Sequence, residues 1–588
     1  FFGSSATEIE GVNFKVWQKV EQTGDGTKTG AQLGITGEGA DEHYKLFVDS
    51  NDKMYGSRGV NTGSGTTGAE FILGNGTYIF VEDKVASPYY NKQDGSAGNE
   101  LTEAKAVPFR LVLPITRPEG TGYFDVANPL HVYPKNTEDK PTVKKEFADA
   151  QPSPRNVEIG EIIPYKITTE IPKGSSYKTI VWEDLMVAGL DFVVDSIAIN
   201  STAGNLTKGT HFEIEQDKRG FVLKANSAGL EAIEAAAKNQ SITITITYNG
   251  VLNDSAVVDT QIPNEVKFHY GNRPRTFTNE KPKPVTPQEE GGKFKVKVSK
   301  RWGDSSNNKE AIFDIYEKET GVKVGEISLS PGVTEGELSQ GIRQGIEYIA
   351  VERPVAGYIP SYEAAGGTAT VTNNPSDNPP PLVPEKPKVI TYGKRFVKTD
   401  DKAIDAQDIQ KLIGAEFVVR NAQGQYLALK DSATKSQEQN NYTAAENAYQ
   451  ASVKANDGQA EAKKALRDAA YEAMNMQWQW GEKAGAFKFI SSKDGKFEVK
   501  GLKQGTYHLE ETKAPEGYAL PSSTIEFEVG PNTWTDTTTH IDNHLQVKNK
   551  KITIPQTGGI GTLVFTVVGL SVMAFAYIAM KKRQAEEA

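Results

Sequence analysis

Apolar and polar residues alternate along most of this chain with a period of two, in short runs bounded by Gly, Pro, Asn and Asp. The stretch from Ser241 to Tyr248 reads Ser-Ile-Thr-Ile-Thr-Ile-Thr-Tyr, which puts the isoleucines on one face of an extended strand and the threonines on the other. Similar runs of Val, Ile, Thr, Tyr and Phe recur, so the predicted class is mainly β, with half-buried strands stacked into sandwiches. Two segments break the pattern: Gly229 to Lys238, and an alanine-rich stretch from about Tyr442 to Met476. The second predicts one or two helices inserted into the fourth β domain. Proline-rich segments run from Tyr133 to Pro141, from Arg273 to Glu290, and from Pro375 to Lys388 with Pro379-Pro380-Pro381 at its centre. They read as linkers, because proline cannot donate to a strand ladder. The length suggests about four domains. The boundaries predicted are 1–136, 137–279, 292–376 and 391–552, with a tail over 553–588.

Three strands share a finer pattern. A glycine is followed by Tyr, then an apolar residue two positions on, then Glu two further: Gly76 with Tyr78, Phe80 and Glu82; Gly345 with Tyr348, Ala350 and Glu352; Gly505 with Tyr507, Leu509 and Glu511. Period two aims these residues at one face, so if the tyrosine faces the core the carboxyl does too. Burial penalises the charged form and drives it towards neutrality, and a nearby partner is expected.

The later domains each open on a strand with a lysine in apolar company: Val143-Lys144-Lys145-Glu146-Phe147, Val298-Ser299-Lys300-Arg301-Trp302, and Phe396-Val397-Lys398. Each closes on a strand ending in asparagine: Tyr270-Gly271-Asn272, Val371-Thr372-Asn373, and Val547-Lys548-Asn549. First and last strands of such sandwiches often lie side by side, which lets lysine, acid and asparagine meet in the core. The chemistry open to that trio is amide exchange. A lysine that burial has stripped of its proton attacks the carboxamide, the neutral acid polarises the carbonyl and shuttles protons, and ammonia leaves. The resulting Lys–Asn isopeptide bond would tie a loop of about 75 to 150 residues and contribute about 4 to 5 kcal/mol on the loop-entropy estimate.

Composition raises the value of such a bond. The chain has no cysteine, so neither disulfides nor thiolate metal sites can brace it. A net charge of −10, spread without a basic stripe, argues against nucleic-acid binding. The seven histidines are scattered, and no metal or cofactor is expected. Gly63, Gly65 and Gly68 have dinucleotide-loop spacing, but no βαβ unit is predicted around them and they read as a surface loop. Asn200-Ser201-Thr202 and Asn205-Leu206-Thr207 read as polar turns despite their glycosylation spacing. The chain starts at Phe1-Phe2-Gly3 without a charged-then-apolar leader, so a secretion signal removed or missing from the sequence is expected.

At the other end, Ile554-Pro555-Gln556-Thr557-Gly558 precedes an apolar run from Ile560 to Met580 and then Lys581-Lys582-Arg583. Roughly 20 apolar residues suffice to cross a bilayer as a helix, and a basic cluster behind them holds the tail in the cytoplasm. A C-terminal transmembrane helix is therefore predicted, with the bulk of the chain outside the cell. Pro-x-Thr-Gly just ahead of such a helix resembles the cell-wall sorting signal that sortase transpeptidases of Gram-positive bacteria recognise. The resemblance implies that Thr557 is the acyl donor and that the membrane is occupied only before cleavage.

Further residues resemble one family. Tyr507-x-Leu509-x-Glu511-Thr512-x-Ala514-Pro515-x-Gly517-Tyr518 matches in full the E box of sortase-assembled pilins, and His131-Val132-Tyr133-Pro134-Lys135-Asn136 is similar to their pilin motif. With the sorting signal, the whole chain resembles a streptococcal-type backbone pilin. The resemblance implies tandem Ig-like domains in the order N-terminal pilin domain, isopeptide-forming pilin domain, CnaB-type domain and SpaA-like domain. It also implies roles. Asp184, which opens an Asp-x-x-x-x-Gly-Leu turn ending at Leu190, is the acid between Lys145 and Asn272, with Lys144 as the alternative lysine. Lys300, Glu352 and Asn373 form the trio of the third domain, and Lys398, Glu511 and Asn549 that of the fourth. Glu510 is disfavoured because alternation points it away from Tyr507 and Leu509. In the first domain Lys19 and Glu82 fit the pattern, Asn128 is a provisional third member, and the bond is left undecided. Between subunits, the amine of Lys135 attacks the threonyl group of Thr557 held by sortase. Pro134 keeps that lysine on an exposed extended segment.

The expected function is therefore structural: the shaft subunit of a covalent, wall-anchored pilus. Its implied partners are sortase, neighbouring copies of the chain, tip and base pilins, and peptidoglycan. The rival is a monomeric surface adhesin that uses the same modules as a stalk. An enzyme acting on external substrates has little support, since the only chemistry legible is single-turnover and self-directed.

Overall fold

The computed structural model describes residues 9–48, 58–63, 68–83, 86–87, 107–134, 140–304, 309–376, 378–430, 435–535, 540–541, 543–552 and 566–576. The chain divides into two compact units, one of residues 1–391 with 475–477 and one of residues 392–474 with 478–588.

In the first unit, the described residues of the first domain form one six-stranded sheet. Its strands Asn13–Lys19 and Gly76–Glu82 pair antiparallel, and Val16, Tyr78 and Phe80 pack together in its core. The second domain stacks a five-stranded sheet on a four-stranded one. The alternation seen in the sequence is realised there: Ile242, Ile244 and Ile246 are buried, and their strand pairs with Ile162–Ile171 along nearly its whole length. The predicted helix spans Ser227–Ala237. It opens at Asn226, whose side chain accepts a hydrogen bond from the Gly229 N–H at 3.0 Å, the usual means of satisfying a first-turn donor. The third domain stacks sheets of four and five strands, around a core that includes Val298, Phe313, Ile315, Tyr348, Ala350 and Val371.

Two of the three proline-rich segments are not free linkers. Residues 273–283 lie against the second domain, where Glu280 meets Arg275 and also Lys224 at 3.3 Å, and Lys281 meets Asp217 at 2.6 Å, with Glu280 and Lys281 both buried; Pro284–Val285 and Gln288–Glu290 already pair as strands of the third domain. The segment from Pro375 to Lys388 also returns to that domain. Leu382 and Phe268 exchange backbone hydrogen bonds of 2.9 Å, and Asn378 binds the Arg273 backbone on both its N–H and its carbonyl. The strand Lys388–Ile390 then pairs with Ile262–Pro263 on one side and Arg155–Asn156 on the other. Gly271 leaves the room this needs, since a Cβ there would meet Asn378 Oδ1 at 2.1 Å. Prolines are tolerated because they sit at edges and gaps of the ladder, where no donor is required. The third domain is thus inserted between two segments of the second.

The second unit is the fourth domain, with sheets of four and six strands. Its alanine-rich insertion is a pair of helices, Lys435–Ala455 and Ala460–Ala473, beginning earlier than the composition suggested. Tyr442 and Tyr449 are buried. Among the described residues no helix is long and apolar enough to cross a membrane. The predicted transmembrane run is described only over 566–576, which is helical.

Candidate crosslinking sites

In the fourth domain the strand carrying Lys398, Tyr392–Asp400, lies parallel to the closing strand His544–Asn549. Lys398 is in register with Val547, so Asn549, two residues on, projects from the same face. Glu511 arrives from the facing sheet, on Gly505–Lys513. Lys398 Nζ lies 2.7 Å from Glu511 Oε2 and also donates to Asn549 Oδ1, while Asn549 Nδ2 donates to Glu511 Oε1 at 2.7 Å. All three are buried, and burial lowers the Lys398 pKa. The acid touches the attacking amine and the departing nitrogen at once, the arrangement amide exchange needs. Glu510 points the other way, to Tyr426 Oη at 2.9 Å and to Lys483.

The third domain repeats the plan. Strands Lys293–Trp302 and Thr368–Pro375 are parallel, with Lys300 opposite Val371 and Asn373 two residues beyond. Glu352 comes from the facing sheet, on Tyr348–Glu352. Its Oε1 is 3.1 Å from Lys300 Nζ and accepts from Asn373 Nδ2 at 3.2 Å. Burial pushes the Lys300 ammonium down and the Glu352 carboxyl up, both shifts in the direction of a neutral amine and a neutral acid. Tyr348 and Ala350 are buried beside Glu352, as period two requires.

The second domain is built differently. Lys145 is fully buried, whereas Lys144 is 72% exposed and pairs with Glu146. Lys145 Nζ binds Asp184 Oδ2 at 2.7 Å, and burial lowers the lysine and raises the acid. Asn272 does not join them. The closing strand Lys267–Gly271 runs antiparallel to the Asp184 strand, with Glu183 opposite Lys267 and Thr179 opposite Gly271. That register leaves Asn272 opposite Lys178, roughly 20 Å from Asp184 along the strand at about 3.3 Å per residue. The buried asparagine near Asp184 is Asn264, 1% exposed. Lys145 Nζ donates to the carbonyl of the next residue, Glu265, at 3.0 Å, and Asn264 Nδ2 donates to Tyr248 Oη at 3.2 Å. Tyr248 in turn donates to Asp184 Oδ2. First and last strands lie in different sheets here, and the asparagine nearest Lys145 and Asp184 lies three residues ahead of the last strand and not at its end.

In the first domain Glu82 is buried, but it is not brought to Lys19. Glu82 is opposite Phe14, while Lys19 sits five residues along the same strand and binds Glu42 at 2.7 Å. Asn128 is exposed and hydrogen-bonded to Asp125. Tyr133 and Pro134 are exposed. Lys135 and the sorting residues Ile554, Pro555, Gln556, Thr557 and Gly558 lie outside the described residues.

Comparison with known proteins agrees with this architecture. Residues 1–137 match the family described as Gram-positive pilin subunit D1, N-terminal domain. Residues 159–274 match Gram-positive pilin backbone subunit 2, Cna-B-like domain, and 332–419 match the corresponding subunit 3 domain. Residues 451–544 match a prealbumin-like fold domain, and 546–587 the LPXTG cell wall anchor motif. The full-length pilus protein RrgB of Streptococcus pneumoniae is 32% identical over 95% of this chain and 94% of its own, with a TM-score of 0.58. A structure of the RrgB pilus backbone covers 70% of this chain and 100% of its own at 32% identity, with a TM-score of 0.54. The trypsin-resistant surface T6 protein of Streptococcus pyogenes is 28% identical over 139 residues, which span 22% of this chain and 26% of that protein. The anchor motif places the chain at the cell wall and implies processing by sortase and joining to other pilin subunits. The chain belongs to the family of Gram-positive pilus backbone subunits, structural proteins of cell-wall-anchored surface pili.

Proposed function

We propose that this chain is a self-crosslinking shaft subunit whose second, third and fourth domains each close one Lys–Asn isopeptide bond: Lys145 to Asn264, Lys300 to Asn373, and Lys398 to Asn549. Asp184, Glu352 and Glu511 are the acids that promote them. The observation that carries the reading is the fourth-domain trio, in which one buried carboxyl contacts both the amine and the carboxamide at 2.7 Å. Loss of water from around the trio supplies the neutral amine, and the folded sandwich supplies the proximity. Between subunits, sortase opens the bond after Thr557 and passes the threonyl group to the amine of Lys135 on the next copy. The same sorting signal attaches the finished polymer to peptidoglycan, with tip and base pilins at its ends.

Intact-mass measurement of the purified ectodomain tests the internal bonds. The expected mass is short of the sequence mass by three ammonia molecules, and replacing any one acid restores one of them. An unmodified mass in the wild type defeats the proposal.

A further inference from the structure

The three trios differ in how the acid reaches the asparagine. Glu511 and Glu352 accept directly from the amide nitrogens of Asn549 and Asn373, at 2.7 and 3.2 Å. The acid of the second domain is an aspartate, one methylene shorter. Asp184 Oδ2 is shared by Lys145 Nζ and the Tyr248 hydroxyl, while its Oδ1 accepts no hydrogen bond. The nitrogen of Asn264 instead meets Tyr248 Oη at 3.2 Å. A phenol stands between acid and amide.

From this geometry we infer that Tyr248 is the proton relay of the second-domain bond, replacing by its hydroxyl the reach that glutamate supplies in the other two domains. The inference rests on the proposed Lys145–Asn264 bond. Tyr248 is 2% exposed and comes from Ile242–Leu252, in the same sheet as Lys145. Its ring is fixed by Tyr165 and Phe221, with centroids 5.5 and 5.1 Å away, and Lys145 Nζ sits 5.6 Å from its centre. Burial beside Asp184 raises the phenol pKa well above its ordinary value, so the hydroxyl keeps its proton and can donate.

The step balances without an outside reagent. Neutral Lys145 Nζ attacks Cγ of Asn264, forming the Nζ–Cγ bond. In the tetrahedral adduct Nδ2 gains a lone pair, so the Tyr248 hydroxyl, which in the resting site donates to Asp184 and accepts from Nδ2, reverses both bonds: Oη takes the proton of protonated Asp184 as the hydroxyl gives its own to Nδ2. The Cγ–Nδ2 bond breaks, ammonia leaves, and the carboxylate takes the surplus proton from Nζ. Acid and phenol end as they began.

The test follows ammonia loss in the full ectodomain by peptide-resolved mass spectrometry at successive times after a pulse of synthesis. Tyr248→Phe keeps the ring and removes only the hydroxyl. It is expected to slow closure of the second domain by about 100-fold, the lower range for a positioned proton donor, while the third and fourth domains close normally and report sound folding. The double variant Asp184→Glu with Tyr248→Phe is expected to recover closure, because the added methylene brings the carboxyl to the amide as in the other two domains. A merely structural hydroxyl would not be replaced in this way. Closure of Tyr248→Phe at the wild-type rate overturns the relay and leaves the Lys145–Asn264 bond standing. Slow closure that the double variant does not recover assigns Tyr248 to packing and also overturns it. Failure of the wild-type second domain to lose ammonia removes the bond itself.

Discussion

Asn549 stands two residues beyond Val547, the register partner of Lys398 on the neighbouring parallel strand, and Asn373 stands two beyond Val371, the partner of Lys300. The same offset in two domains places amine and carboxamide on one face of a parallel pair, with the acid arriving from the sheet opposite. Glu511→Ala removes that acid from the fourth domain. The variant is expected to retain one ammonia and to lower the unfolding temperature of that domain by roughly 10–20 °C, from a loop-entropy contribution of about 5 kcal/mol. Scanning calorimetry with intact mass checks both, and an unchanged transition counts against the bond.

The second domain separates two asparagines. Asn264→Ala is expected to restore one ammonia to the mass and to leave the domain open to trypsin, because the buried Lys145 and Asp184 then lack a product to form. Asn272→Ala, at the far end of the strand, is expected to change neither. Should Asn272→Ala abolish the mass loss instead, the assignment of Asn264 is wrong.

Acid acts on the first domain. The Glu42 carboxyl is held down to about 2 by hydrogen bonds from Lys19 and Tyr44. A depressed carboxyl stabilises the folded state above its ordinary pKa, and that stability drains away as pH falls through the folded value. First-domain stability is therefore expected to fall between the ordinary 4.5 and about 2, and Glu42→Gln should flatten that slope. Hydrogen exchange of the strand Asn13–Lys19 across the window measures it; equal slopes in variant and wild type would show that Glu42 contributes nothing.

The proposed polymerisation uses a different lysine. Lys135→Ala is expected to abolish the high-mass ladder in cell-wall extracts while leaving all three internal ammonia losses intact. A surviving ladder would favour the reading of the chain as a monomeric adhesin.

Much of this was legible in the sequence, for a physical reason. Period-two alternation commits Tyr348, Ala350 and Glu352 to one face, as it does Tyr507, Leu509 and Glu511, and these residues are buried. The lysine and the closing asparagine meet wherever first and last strands pair in parallel. The closeness of Asn264 to Lys145 and Asp184 was not legible, because in the second domain those strands belong to facing sheets and the pattern of a strand closing on asparagine selects a residue at the far end. The hydrogen bonds of Tyr248 to Asp184 and Asn264 were hidden too, since alternation marks it only as a core residue on the strand beginning Ile242. The prolines near Pro380 signalled a break in pairing but not that the chain would rejoin the second domain within a few residues.

That return has a mechanical meaning. A chain stretched from both ends feels its tension enter the second domain at Thr142, held opposite Glu170, and leave at Thr391, just past the short strand Lys388–Ile390 that fastens this exit to the same body. Until that strand peels away, the third sandwich hangs outside the line of pull as stored slack, shielded by a few backbone hydrogen bonds that can break and re-form.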